Sequence, residues 1–259
     1  MFYQHIQYLK FLTKSTNQHG VHSPFVYNLV TLSLYKKTDA KTLNEHTLFK
    51  KGLLNNKNFI NVTDFGSGSK IFKSEKRQVS KIAKIAGISN KKTQLLIKLI
   101  TYFKPENVLE IGTSLGIGTT AIHLANPKNN IITLEGCPET SKVAKNQFEK
   151  FEYKNIDLIT GDFSQTLPEV TKDKMFDCIY FDGNHTKKAT LHYFNECIKT
   201  TNNYSFFIFD DIYWNSEMQE AWKEIKNHPK VTVTVDVFYF GVVFFRKEQA
   251  KEHFKVRVL

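Results

Sequence analysis

Glu110-Ile111-Gly112-Thr113-Ser114-Leu115-Gly116-Ile117-Gly118 is the stretch on which the fold turns. The run Val108-Leu109-Glu110-Ile111 leads into it as a short buried strand, and residues 117–126 leave it as a helix. Glycine at such a junction lets a ligand lie against backbone that a side chain would cover. The spacing is G-x-x-x-G-x-G, not the G-x-G-x-x-G of dinucleotide folds, and it lacks the Lys-Ser/Thr of a phosphate loop. Glu110, placed just before the loop, would repel a pyrophosphate and suits a ligand with a positive centre.

Downstream, apolar runs recur at 131–134, 156–160, 176–181 and 205–210, with helices at 138–151, 187–199 and 215–227. Two adjacent β-rich runs, 231–238 and 240–246, close the series. Alternating strands and helices predict an α/β fold with a doubly wound, mostly parallel sheet, and the last two runs predict a closing antiparallel hairpin. Upstream, the chain to about Lys51 reads as short helices, with Ser23 and Pro24 starting one over 25–35. Residues 52–75 look loop-like, 76–86 form a Lys-rich helix, and Ser89 caps a helix whose apolar face is Leu95, Leu96, Leu99, Ile100 and Phe103. The divisions expected are an N-terminal helical extension over 1–88, a ligand-binding domain over 89–247 and a basic tail over 248–259.

Composition narrows the class. The chain has 259 residues, of which 41% are hydrophobic and 24% charged, which excludes a disordered polar chain or a fibre. Cys137, Cys178 and Cys197 are too few and too scattered for a disulfide framework or a metal knuckle. No stretch is apolar for the roughly 18 residues of a membrane span, and Met1 to Lys14 does not read as a signal peptide. A reduced, cytoplasmic protein is expected. The net charge of +11 first suggests nucleic acid, but nearly all of it is Lys, with Arg only at Arg77, Arg246 and Arg257. Phosphate and base readers lean on the bidentate fork of Arg, so a solvated Lys surface is the favoured reading.

The later strand ends carry more acids. Glu135 stands 25 positions after Glu110, where an acid commonly accepts from ribose hydroxyls. Asp162 could meet an adenine amino group, with Phe163 packed on the ring. Phe181-Asp182-Gly183-Asn184-His185 and Asp210-Asp211 end two further strands. Taken singly, each acid reads equally well as a helix N-cap or a solvated loop.

Taken in order, these residues resemble the class I S-adenosylmethionine-dependent methyltransferases, over residues 89 to 247. The resemblance implies a Rossmann-like seven-stranded domain and S-adenosylmethionine as cofactor. Gly112, Thr113, Ser114, Gly116 and Gly118 would cradle its amino acid part, with Glu110 holding the loop or the ammonium. Glu135 would take the ribose, and Asp162 and Phe163 the adenine. Carboxylates converging at one sheet edge repel each other unless protonated or bridged by a cation such as Mg2+. The set Asp182, Asp210 and Asp211 is similar to the metal site of the catechol and caffeoyl-coenzyme A O-methyltransferases, except that Asp211 replaces an Asn. The plain alternative is that Asp210 and Asp211 cap a helix and hold water. His185, three residues after Asp182 and where that group often has a Lys, would act as base. The alternative role for His185 is packing on the cofactor.

The expected activity is methyl transfer to a hydroxyl oxygen of a small molecule. Two alternatives stand beside it: an RNA methyltransferase using the basic surface, and a non-catalytic binding protein on the same fold. A homodimer is a further expectation from the resemblance. Tyr213 and Trp214 are candidates for stacking on a planar acceptor. His19 and His22 read as turn residues, the alternative being that either lines the substrate pocket. Asn61 to Ser69 imitates strand, acid and Gly loop, and reads as a structured turn or as a lid with Ser67, Ser69 and Lys70.

Overall fold

The computed structural model describes residues 2–63 and 74–258. In chain order the elements are α1 (Phe2–Lys14), α2 (Pro24–Leu29, continued by a π turn over Val30–Leu34), α3 (Ala40–Asn55), β1 (Phe59–Asn61), β2 (Lys76–Gln78), α4 (Val79–Ile85) and α5 (Asn90–Phe103). Then come β3 (Asn107–Ile111), α6 (Ile117–Ala125), β4 (Asn130–Glu135), α7 (Pro138–Lys150), β5 (Ile156–Thr160) and α8 (Phe163–Thr171). The chain continues with β6 (Cys178–Phe181), α9 (Lys187–Cys197), β7 (Phe206–Asp210), α10 (Ser216–Asn227), β8 (Val233–Asp236), β9 (Phe240–Phe244) and β10 (Glu252–Lys255).

The main sheet has the order β10-β8-β9-β7-β6-β3-β4-β5. Strands β3 to β7 run parallel, and β9 is antiparallel to both β7 and β8. The chain winds outward from β3 through β4 to β5, then crosses back to place β6 on the other side of β3. Ligands of open α/β sheets bind at such a switch point, outside the carboxyl ends of the strands.

Period-two alternation divides the strands between two apolar layers. Val108, Cys178, Phe206 and Ile208 face the layer containing α2 to α7. Leu109, Ile111, Ile179, Phe181, Phe207 and Phe209 face α8, α9 and α10. Phe207 and Phe209 are essentially inaccessible, each contributing on the order of 1.5–3 kcal/mol by burial. Glu110 falls on the same face as Val108, so the alternation that builds the strand also buries this carboxylate under α6.

The closing hairpin is present as expected. The sheet nevertheless has eight strands rather than seven, because the tail is not loose. Its residues Glu252–Lys255 pair in parallel with β8, and Thr16 N–H donates to Lys255 O at 2.9 Å. Lys255 Nζ also donates to Tyr213 Oη at 3.1 Å, and Tyr213 Oη donates to buried Asp236 at 2.5 Å. The N-terminal part differs from expectation in three places. Helix α3 runs on to Asn55, residues 59–61 pair antiparallel with 76–78, and the Lys-rich helix starts at Val79. Three-residue strands carry no readable alternation, so the sequence pattern does not show that pair.

The first helix lies over the hairpin tip. Tyr8 and Phe11 meet the Phe238 ring at centroid distances of 4.8 and 5.6 Å, and Tyr213 stacks on Phe238 at 5.0 Å. Among the described residues no helix is long and apolar enough to cross a membrane.

Candidate active site

The glycine loop turns at the end of β3. Gly112 has φ +108°, and a Cβ there would lie 2.7 Å from the Asp182 carbonyl carbon and oxygen. The two strand ends at the switch point therefore touch backbone to backbone, which only glycine permits. Gly112→Ala adds both that clash and left-handed strain, together about 1–3 kcal/mol. S-adenosylmethionine affinity, measured by calorimetry, should fall about tenfold or more.

Glu110 supports the loop from below. Its Oε2 accepts from Thr133 Oγ1 at 2.6 Å and from Thr119 Oγ1, and Thr133 is in turn 2.6 Å from Thr113 Oγ1. Its other oxygen has no hydrogen-bond partner among the described residues and lies against Gly118, where a Cβ would be 2.9 Å away. Burial raises this carboxyl to about 7, against the two threonine hydroxyls that lower it. Glu110 lines neither side of the cleft above.

That cleft, of about 290 Å³, is lined by Gly112, Ser114, Glu135, Asp162, Phe163, Asp182 and others. Glu135 Oε2 accepts from Ser114 N–H at 2.7 Å and Oε1 from Cys137 N–H at 2.9 Å, fixing the loop to the end of β4. Asp162 caps α8, accepting from Ser164 N–H at 2.8 Å, and that bond holds its carboxyl below the usual range. Capping and lining are thus combined in one residue. Phe163 stands edge-on to Tyr193 at 5.8 Å, and Tyr193, Asn184, Arg77, Val62 and Thr63 also line the cleft. Of Gly116 and Gly118, the first is the N-cap of α6 and the second lies inside that helix. Helix α4 borders the cleft through Ile82 and its C-cap Ala86, while its Lys81 and Lys84 face solvent. The Gly66-Ser67-Gly68 turn with Ser69 and Lys70 lies outside the described residues, although Val62 and Thr63 before it reach the cleft wall.

Beyond Asp182 the carboxylates converge. Tyr180 Oη donates to Asp182 Oδ2 at 3.1 Å, and burial, with Asp210 adding to it, pushes the Asp182 carboxyl well above its ordinary range. Asp211 has φ +52°, a left-handed conformation that Asp and Asn tolerate best. His185 Nε2 lies 3.6 Å from Asp182 Oδ1 and 4.0 Å from Asp211 Oδ2.

Lys92, in the first turn of α5, joins this group without any signal in the sequence. Its Nζ lies 2.5 Å from Asp210 Oδ1 and 2.7 Å from Asp211 Oδ1. Burial opposes the charge, but Asp210, Asp211 and Asp182 outweigh it and hold the ammonium well above its ordinary value. For Asp211, burial would raise the carboxyl, but Lys92 and then His185 outweigh it and keep it low. The set Asp182, Asp210 and Asp211 therefore does not fit a divalent cation as arranged. An ammonium stands among the oxygens that would bind it, and no cluster of three or more His, Cys, Asp or Glu among the described residues is arranged to hold a metal.

A second cavity, of about 460 Å³, has Asp211 in its wall. Lys92 and Asp211 form its polar wall, and Tyr8, Tyr213, Phe238 and Tyr239 its aromatic wall, with His5 at the side. Trp214 is not among its lining residues; it faces His185 at 6.5 Å between ring centroids. His19 and His22 are exposed and line neither cavity.

Backbone contact at the switch point, with an acid tied to the glycine loop beside it, is the build of a class I methyltransferase. Residues 69–246 match the O-methyltransferase family. That is more than half of the chain, so the chain belongs to this family and is an S-adenosylmethionine-dependent enzyme. No curated protein matches the sequence. Among solved structures, a methyltransferase from Podospora anserina bound to S-adenosylhomocysteine is 16% identical, with 82% of this chain and 98% of that one covered and a TM-score of 0.57. An O-methyltransferase from Bacillus cereus in complex with S-adenosylhomocysteine is 15% identical, covering 80% and 92%, with a TM-score of 0.55. TomG from Streptomyces achromogenes, an O-methyltransferase of tomaymycin synthesis in complex with S-adenosylmethionine, is 15% identical, covering 85% and 95%, with a TM-score of 0.54. At these identities the likeness is one of fold.

Proposed function

We propose that the enzyme methylates a hydroxyl oxygen of a small planar acceptor held in the aromatic-walled cavity. The observation that carries this reading is the position of His185. It is within 3.6 Å of Asp182, which lines the cofactor cleft, and 4.0 Å of Asp211, which lines the aromatic cavity. A base at that junction can take the proton of a hydroxyl that enters from the aromatic cavity and meets the methyl group beside Asp182.

In this scheme Ser114, Glu135, Asp162 and Phe163 hold S-adenosylmethionine, and Glu110 holds the loop rather than the ammonium. The acceptor oxygen attacks the methyl carbon in line with the sulfonium. The S–CH3 bond breaks with its electron pair passing to sulfur, the O–CH3 bond forms, and the hydroxyl proton goes to His185 Nε2. S-adenosylhomocysteine and the methyl ether leave. Tyr213, stacked on Phe238 and tethered to Asp236, would offer a fixed aromatic wall.

The test is calorimetry with S-adenosylmethionine, followed by turnover of labelled cofactor on a panel of phenols and catechols. Saturable binding and label on a phenolic oxygen are expected. Absence of binding at millimolar cofactor would overturn the reading. The RNA alternative separates by salt, since phosphate contacts weaken steeply with ionic strength and the stacking of a neutral phenol on an aromatic wall does not.

A further inference from the structure

We propose that Lys92 is the resident cation of this site, a built-in ammonium that does the charge-neutralising work a divalent ion would do among Asp182, Asp210 and Asp211. The observations are geometric. The Nζ sits 2.5 and 2.7 Å from one oxygen of each neighbouring Asp, on a side chain only 16% exposed. Helix α5 is fixed in place by the Ser89 cap and by the buried face Leu95, Leu96, Leu99 and Ile100. The ammonium is therefore delivered by a rigid element.

An ammonium and a divalent ion cannot share these oxygens. Mg2+ demands oxygen ligands at about 2.0–2.1 Å in octahedral geometry, and a charged nitrogen in that shell excludes it. An ammonium offers three N–H donors, of which Asp210 and Asp211 take two. Lys92 also lines the aromatic cavity, so its third donor can hold the acceptor oxygen as negative charge develops on it. This last role rests on the acceptor reading above; the cation role does not.

The experiment is an Mn2+ titration by calorimetry and electron paramagnetic resonance, with no acceptor present, on the wild type, Lys92→Met and Lys92→Arg. The wild type and Lys92→Arg should give flat titrations into the millimolar range. Lys92→Met, with Asp210 and Asp211 released, should bind one Mn2+ with a Kd about tenfold or more below the highest concentration at which the wild type stays flat. A wild-type circular dichroism spectrum and a cooperative thermal melt of Lys92→Met show that the fold is intact. Stoichiometric Mn2+ binding by the wild type overturns the proposal, and so does a folded Lys92→Met that binds no Mn2+. The wild-type arm decides even if Lys92→Met does not fold. Because these readings need no turnover, they are independent of whether the acceptor is a hydroxyl.

Discussion

His185→Ala should lower kcat by about 10²–10⁴-fold, the usual share of a positioned general base, while leaving S-adenosylmethionine affinity unchanged. That range corresponds to about 2.7–5.5 kcal/mol of barrier. The expectation follows from where the ring stands. It is beside, not inside, the cofactor cleft, and is absent from the cleft's lining. Its loss should therefore not be felt in cofactor binding. A ring that only packed on the cofactor would show the opposite split, with affinity falling and kcat holding. Added imidazole should restore part of the rate of the Ala variant, which a packing role would not allow. Turnover at the wild-type level would reject His185 as the base.

The residues that could be read from sequence are those whose local chemistry is unusual. Gly112 and Gly118 stand where backbone or a carboxylate comes within 3 Å of a would-be Cβ, so the local pattern had to carry glycine. Glu135, Asp162 and Asp182 follow apolar runs, and a carboxylate at a strand end is visible in any reading of periodicity. Lys92 had no such signal. It is one of two adjacent lysines, 119 positions from the Asp211 it meets, and only the packing of α5 brings it there. The aromatic cavity was hidden for the same reason. Tyr8 on α1 and Phe238 at the hairpin tip are joined by tertiary packing across almost the whole chain. The eighth strand, Glu252-His253-Phe254-Lys255, reads as a polar tail because an edge strand with one buried residue has too little alternation to register.

Glu110 ties the stability of the fold to pH. Folding raises its carboxyl from 4.5 to about 7, chiefly by burial. For an acid this means that the folded state binds the proton more tightly than the unfolded state. Its favourable contribution is complete below about pH 4.5 and is lost as the pH rises through about 7. The loss amounts to about 3 kcal/mol, a large part of the stability of an ordinary domain. Glu110→Gln cannot ionise, and its amide oxygen can still accept from Thr119 and Thr133. Denaturant unfolding of the two proteins at about pH 5 and about pH 8 isolates this one group, because the shifts at Asp182 and Asp211 are common to both. The wild type should lose about 2.5 kcal/mol more than Glu110→Gln over that interval. Parallel pH profiles would show that Glu110 ionises as easily in the folded protein as in the unfolded chain, and that the strand's alternation does not seal it from water.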